Sequence, residues 1–256
     1  MSIEACAALV ARGDPDRFMA VMAAPVAARA RLFPLYAFNL EVARAPWVTE
    51  EPMIGEMRLQ WWRDTVESFA GTGPVRAHEV AAPLAEVARA QQLSLDVMDR
   101  LVAARRWDLY RDPFADQAEM DEFLEDTGGG LMWLAAKALG AGPEVEPVAR
   151  DAGWAAGLAA FLHAVPDLEA RGRQPLSDRS PAAISALARR GLDRLARARA
   201  ARPKGEERWA FLTGWQTGGL LHQAERHPQK TLDGSLALSE FARKGGLLWA
   251  QATGRW

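Results

Sequence analysis

Cysteine is almost absent from this chain: Cys6 is the one thiol in 256 residues. A single thiol excludes a disulfide framework and a cysteine metal site within one chain. Close to the N-terminus, Cys6 reads as a small apolar residue rather than a nucleophile. Histidine is scarce too. His78, His163, His222 and His227 are scattered, and no pair has the i, i+4 spacing with an acid that builds a zinc site, so each reads as surface or satisfied core. There are two tyrosines, and alternating runs of Val, Ile, Thr and Tyr are missing, which argues against strands. The sequence has no Gly-x-Ser-x-Gly elbow. No stretch of about eighteen uncharged apolar residues occurs, which excludes an ordinary spanning helix. The first residues carry an acid and no basic run, so no secretory signal is expected. A formal net charge of −2 supplies no field to recruit nucleic acid, and none is expected as a partner.

What is present is helix-forming sequence rich in alanine, leucine and arginine. Asp14-Pro15 opens a first helix as N-cap and N1, and Pro25 can open another. From there Phe33, Tyr36, Ala37 and Leu40 recur at helical spacing until Pro46 stops the pattern. Glu51-Pro52 opens the next helix. Gly55, Leu59, Trp62, Val66 and Phe69 form its stripe, and Ile54, Met57 and Trp61 add a second apolar side, so packing on two sides is expected. Further helices are read at 78–91, 94–108 and 116–139, the last interrupted by Gly128-Gly129-Gly130. That triplet follows no strand and lacks a P-loop lysine, so it marks a bend or close helix approach rather than a phosphate cradle. A helix from 147 to 165 carries Val148, Ala152, Ala155, Leu158, Leu162 and Val165 and ends at Pro166. Ser180-Pro181 caps another with Ile184, Leu187, Leu192 and Leu195. After Arg202-Pro203-Lys204-Gly205 come helices near 206–226 and 236–252. With no repeat, linker or boundary, a single all-helical domain over 1–256 is expected.

Two segments stand out. Arginine clusters from Arg189 to Arg202, either as a solvated helix face or as a dock for an acidic lipid or protein surface. Trp61 and Trp62 are adjacent beside Arg58, Arg63 and Asp64. Neighbours on a helix point about 100° apart, so the pair belongs to an enclosed helix or to an aromatic and arginine hot spot for a partner.

Leu35-Tyr36-Ala37-Phe38-Asn39-Leu40-Glu41-Val42-Ala43-Arg44 is similar to the segment that squalene and phytoene synthases write as Leu-Tyr-Ala-Phe-Cys-Arg-x-x-Asp-Asp-x-x-Asp. The likeness continues in order through Trp62, Arg106-Trp107-Asp108-Leu109 and the Phe123–Gly130 segment, then Gly157-Leu158 and Arg171-Gly172-Arg173. It covers the chain from about 14 to 252. The resemblance implies an all-α fold, an isoprenoid-synthase-like helical bundle around a central cavity.

In that family two aspartate-rich motifs hold magnesium ions, which bridge allylic diphosphates and assist their ionisation. Here the first motif's aspartates fall on Ala43, Arg44 and Trp47, and the arginine before them on Leu40. The second motif falls on Ala164 and Leu168, with Asp167 one place off after Pro166. The resemblance therefore implies that Leu40, Ala43, Arg44, Trp47, Ala164 and Leu168 line the pocket as degenerate motif positions. No catalytic residue and no metal are expected. Arg44 would set a fixed positive charge where magnesium belongs, a repulsion of several kcal/mol in a low-dielectric pocket. Residual polar or partner residues are Tyr36, Asn39, Glu41, Glu56, Arg58, Trp61, Trp62, Asp64, Arg171 and Arg173.

The segments 37–44 and 55–64 most resemble the branch of the family that holds the mitochondrial complex I assembly factor and its bacterial relatives, which share the loss of the aspartates. This implies a non-catalytic assembly or lipid- and isoprenoid-binding factor. Its expected partners are complex I subunits or assembly intermediates, a lipid or isoprenoid tail, and a membrane surface. It is expected in the cytoplasm, peripheral on the inner membrane, without a cofactor. The alternative is a divergent prenyltransferase condensing allylic diphosphates, for which Mg2+ would be required. A third reading is a membrane-surface protein acting through the Arg189–Arg202 helix.

Overall fold

Capping chemistry sets the starts of several helices in the computed structural model, which describes residues 2–49, 51–201 and 203–256. The first helix lies earlier than expected. α1 (Ile3–Gly13) begins at Ser2, whose hydroxyl accepts from the Ala5 amide at 3.4 Å. Asp14 then caps α2 (Pro15–Met22) by accepting from the Arg17 amide at 2.9 Å. α3 (Val26–Arg44) follows Pro25 and has every residue from Leu32 to Asn39 buried, so it is the central helix of the bundle. α4 (Pro52–Glu67) opens at Glu51-Pro52 as expected, and buries Leu59, Trp62 and Val66. Its second apolar side is packed only through Trp61, which is partly buried against the core. Met53, Ile54 and Met57 are exposed, because the first turns of α4 are covered on the other side, where Gly55 meets Leu109 and Glu56 meets Arg106 and Tyr110.

α5 (Ala81–Ala90) and α6 (Leu95–Ala104) follow, the latter running into a 3-10 segment at Arg105–Leu109. The expected 116–139 helix is α7 (Gln117–Leu124) and α8 (Gly130–Ala138), joined by a π-helical turn at Glu125–Gly129. α9 (Glu146–Ala170) does not end at Pro166 but passes through it. A proline removes one backbone bond without forbidding the turns on either side, and beyond it Leu168 is held in the core. The stop comes at Gly172, with a φ of +77°. There the Gly172 amide donates to Glu169 O at 2.9 Å and the Arg173 amide to Leu168 O at 3.0 Å.

α10 (Pro181–Ala201) is capped by the Ser180 hydroxyl, 3.2 Å from the Ala183 amide. The C-terminal stretch is broken into shorter pieces than the periodicity indicates: α11 (Arg208–Phe211), α12 (Thr217–Arg226), α13 (Gln229–Leu232) and α14 (Glu240–Thr253). The described residues contain no strand, and among them no helix is long and apolar enough to cross a membrane. One contiguous apolar core extends from Cys6 to Trp256, with Trp154, Tyr36 and Phe38 among its fully buried large side chains.

The arginine run on α10, of which Arg202 lies outside the described residues, is partly solvated, with Arg189 and Arg197 keeping 67% and 60% of their side chains in water, but four of its arginines are paired within the chain. Arg189 pairs with Glu225 at 3.0 Å, Arg190 with Asp121, Arg194 with Glu125 at 3.1 Å, and Arg197 with Asp151 at 3.0 Å. Arg190 and Arg194 also lie over the Trp154 ring, 5.6 and 4.5 Å from its centroid. The run ties α10 to α7, α9 and α12.

Candidate binding cavity

α9 carries two unlike stripes. Ala152, Ala155, Leu158, Leu162 and Val165 enter the core. On another side Gly153, Ala156, Gly157, Ala160, Ala164 and Leu168 recur at three- and four-residue steps and line a cavity of about 300 Å³. Small side chains on this wall leave the space open. α3 supplies the facing wall through Tyr36, Asn39 and Ala43, with Trp47 just beyond its end. Phe123, Thr127 and Gly128 close the third side. The volume lies at the lower end of the range for small-molecule pockets.

The motif positions implied by the resemblance divide. Ala43, Trp47, Ala164 and Leu168 line this cavity. Leu40 turns instead toward α1, where its Cδ1 lies 3.0 Å from the position a Gly13 side chain would occupy. Arg44 keeps 64% of its side chain in water, 3.9 Å from Glu41, and does not line the cavity. Its charge therefore points to solvent at the end of α3 rather than into the pocket.

Of the polar candidates, Tyr36 and Asn39 face the cavity. Tyr36 is 1% exposed, and its buried hydroxyl has no hydrogen-bond partner of ordinary geometry. Thr213 is close enough to bear on the phenol's ionisation, but its own hydroxyl donates to Ala210 O at 2.8 Å. Burial raises the phenol above its ordinary pKa, opposed by the Arg17 guanidinium, 5.1 Å from the ring centroid. Arg17 is itself paired with Asp14 at 3.0 Å.

Glu56 accepts from Arg106 and from the Tyr110 hydroxyl, each at 2.9 Å. Asp64 accepts from Gln60 at 2.7 Å and lies 3.6 Å from Arg76. Asp167 is exposed. None of these acids, nor Glu41, lines the cavity. Arg58 is exposed on α4. Trp62 is buried edge-on against Phe38 at 5.2 Å, while Trp61 is only partly covered and meets His78 at 5.2 Å. Arg171 and Arg173 both stack on Trp47, 4.8 and 5.2 Å from its ring centroid, and so brace one cavity wall.

Sequence reasoning did not single out Arg17, Arg105, Thr127 or Thr213, which also line the cavity, and placed Asp108 only within a likeness. Asp108 is 5% exposed and lies 3.4 Å from Arg105. Burial pushes its carboxyl above the usual aspartate range, while Arg105 and then Arg173 pull it back. Arg173 donates to the Trp107 and Asp108 carbonyls, and burial holds its guanidinium below the usual arginine value. The cue was a charged pair, Arg105 and Asp108, three residues apart beside a tryptophan.

The cavity therefore presents an apolar body with unpaired polar atoms, Tyr36 Oη and Arg105 Nε, at its edge. The magnesium sets of the resemblance do not fit it. Its motif positions offer two alanines, a tryptophan and a leucine, and Asp108 is the one carboxylate lining it among the described residues. No group of three or more acidic, histidine or cysteine side chains among those residues could hold a metal ion.

Residues 10–179 match the squalene/phytoene synthase family. The chain is 27% identical over 162 residues to NADH dehydrogenase (ubiquinone) complex I, assembly factor 6, of Homo sapiens, covering 63% of this chain and 48% of that protein. It is 28% identical over 170 residues to the homolog of Drosophila melanogaster, covering 63% and 50%. The chain spans about half the length of the curated relatives it matches. A dehydrosqualene synthase solved in complex with ligand superimposes with a TM-score of 0.81 at 13% identity, over 98% of this chain and 95% of that one. Squalene synthase HpnC from Alicyclobacillus acidocaldarius gives a TM-score of 0.74 at 16% identity, over 89% and 94%. These likenesses establish the all-helical isoprenoid-synthase-like fold, and with more than half of its length matched the chain belongs to the squalene/phytoene synthase family.

Proposed function

We propose that this chain is a non-catalytic assembly or lipid-binding factor that keeps the synthase fold and serves the assembly of respiratory complex I. The observation that carries this is the identity of the cavity wall. At the positions where the resemblance sets the carboxylates that gather magnesium for prenyl transfer, this chain has Ala43, Trp47, Ala164 and Leu168, all lining the cavity. The names of the relatives support the same direction. The cavity takes a lipid or isoprenoid tail against its alanine and leucine wall, with Tyr36 and Asn39 reading a polar end. No metal takes part. Subunits or assembly intermediates of complex I meet the exposed side of the first turns of α4, where Met53 and Met57 are 74% and 67% exposed beside Ile54 and Arg58. Large exposed apolar side chains of this kind mark interaction surfaces. The factor works at the inner membrane from its soluble side.

Deletion of the gene in its own host, with complex I followed on native gels, tests this. Loss of assembled complex I is expected, restored by the wild-type chain and not by the M53E/M57E variant. Normal complex I without the chain would refute the assembly role.

A further inference from the structure

The strongest unassigned feature lies far from the cavity, where the end of α10 meets α14. A second pocket of about 580 Å³ is lined there by Arg199, Lys204, Arg208, Arg255, Trp249 and Trp256, among others. Four cations share it, and among the described residues no Asp or Glu side chain lines it. This contrasts with the rest of α10, where Arg189, Arg190, Arg194 and Arg197 each have a carboxylate partner. Among the described residues, none of the four pocket cations forms an ion pair. Arg199 as a whole is exposed, but its guanidinium nitrogens lie 3.2 Å from where a Gly218 side chain would begin. Protein desolvates this head and holds it below the usual arginine value with no anion to compensate. Gathering like charges in a chain whose formal net charge is −2 costs electrostatic energy, which an anion would recover.

The second observation is independent. α14 packs inward through Leu247 and Ala250, which leaves its opposite side bare. Phe241 is 88% exposed, Leu248 66% and Trp249 54%. Phe241 and Leu248 are seven residues apart, two turns along one face, and Trp249 joins that face to the basic pocket. An apolar stripe beside a cation cluster is the pattern of a helix that lies in a membrane interface, with tryptophan at headgroup depth.

We propose that this end of the molecule seats on an anionic phospholipid surface. A headgroup phosphate enters the pocket between Arg199, Lys204, Arg208 and Arg255, and Phe241, Leu248 and Trp249 lie among the upper acyl chains. The Arg189–Arg197 face plays no part, since its charges are spent within the chain. The inference stands whether or not the central cavity binds a lipid.

The test is sedimentation of the whole chain with phosphatidylcholine vesicles, with and without about one third phosphatidylglycerol, at low and high salt. Binding to the anionic vesicles is expected, with salt weakening it. The K204Q/R208Q/R255Q variant should bind at least tenfold more weakly, and F241S/L248S should lose the blue shift of tryptophan emission on binding. The charge-matched R12Q/R179Q/R226Q variant should bind as the wild type does, and unchanged melting temperatures will show that the variants fold. Equal binding to neutral and anionic vesicles, no binding, or full binding by the pocket variant would overturn the proposal. So would concentration-dependent dimerisation abolished by F241S/L248S without vesicle binding, which would make the α14 face a contact between copies.

Discussion

Gly128 and Gly153 lie backbone against backbone: a Cβ on Gly128 would collide with the Gly153 carbonyl oxygen and stand 3.0 Å from Gly157 Cα. This approach brings the π turn between α7 and α8 onto α9 and sets the floor of the cavity. The wide turn also hands the Thr127 hydroxyl to the Phe123 carbonyl at 2.5 Å.

Gly153→Ala should therefore destabilise the fold by about 2–3 kcal/mol, because its new methyl meets the Gly128 carbonyl and the Met132 Cβ. Melting should fall by roughly 5–10 °C. Gly245→Ala in α14, where nothing lies within 4 Å of the added carbon, should be neutral or slightly stabilising. Thermal unfolding of the two variants beside the wild type checks the contrast.

Filling the cavity separates binding from folding. Ala164→Phe projects a ring from the α9 wall into the space of about 300 Å³. It should reduce uptake of a fluorescent isoprenoid alcohol at least tenfold while leaving the melting temperature unchanged or higher. Unreduced uptake would show that the ligand sits elsewhere.

The Tyr36 hydroxyl is buried without a partner. Replacing it with hydrogen in Tyr36→Phe should stabilise the ligand-free protein by about 1 kcal/mol, since an unmet polar group is removed from the interior. The same change should weaken a ligand with a polar end and leave a pure hydrocarbon unaffected. Paired melting and titration measurements distinguish these outcomes.

Cys6 is fully buried, with Glu79 nearby, and burial pushes its thiol up to about 11 from 9.0. The folded chain thus holds this proton to higher pH than the unfolded chain does. Its contribution to stability is complete below pH 9 and is lost as pH rises toward about 11. With allowance for solvent screening, the wild type should lose about 1–2 kcal/mol more than Cys6→Ala across that window. Denaturant melts at stepped pH read the difference, and native Cys6 should resist thiol reagents that label the unfolded chain.

Large apolar residues made the fold legible in the sequence: the Phe33–Leu40 pattern became α3, and Ile184, Leu187 and Leu195 became the buried side of α10. Small residues hid the site. Gly153, Ala156, Gly157, Ala160 and Ala164 give almost no signal to a hydrophobic pattern, although their smallness makes the cavity. Proline misled at Pro166, because a missing donor stops a helix only when tertiary packing does not hold the next turn. Charge told only part of the story at Arg189–Arg197: Arg189 and Arg197 are largely solvated as a helix face should be, but the carboxylate partners of the run lie 36 to 69 residues away and are invisible along the chain. The resemblance placed Ala43, Trp47, Ala164 and Leu168 around one space but could not tell that Leu40 and Arg44 leave it, which depends on how α3 rotates against α1.

The central claim is that this synthase fold no longer performs prenyl transfer, and diphosphate release from farnesyl and geranylgeranyl diphosphate with magnesium tests it most directly. An active synthase serves as the control, and the melting curve of the chain shows that it is folded. The account predicts no release above a heat-killed blank. Steady release that a chelator abolishes would contradict it and would mean that carboxylates outside the motif positions gather the metal.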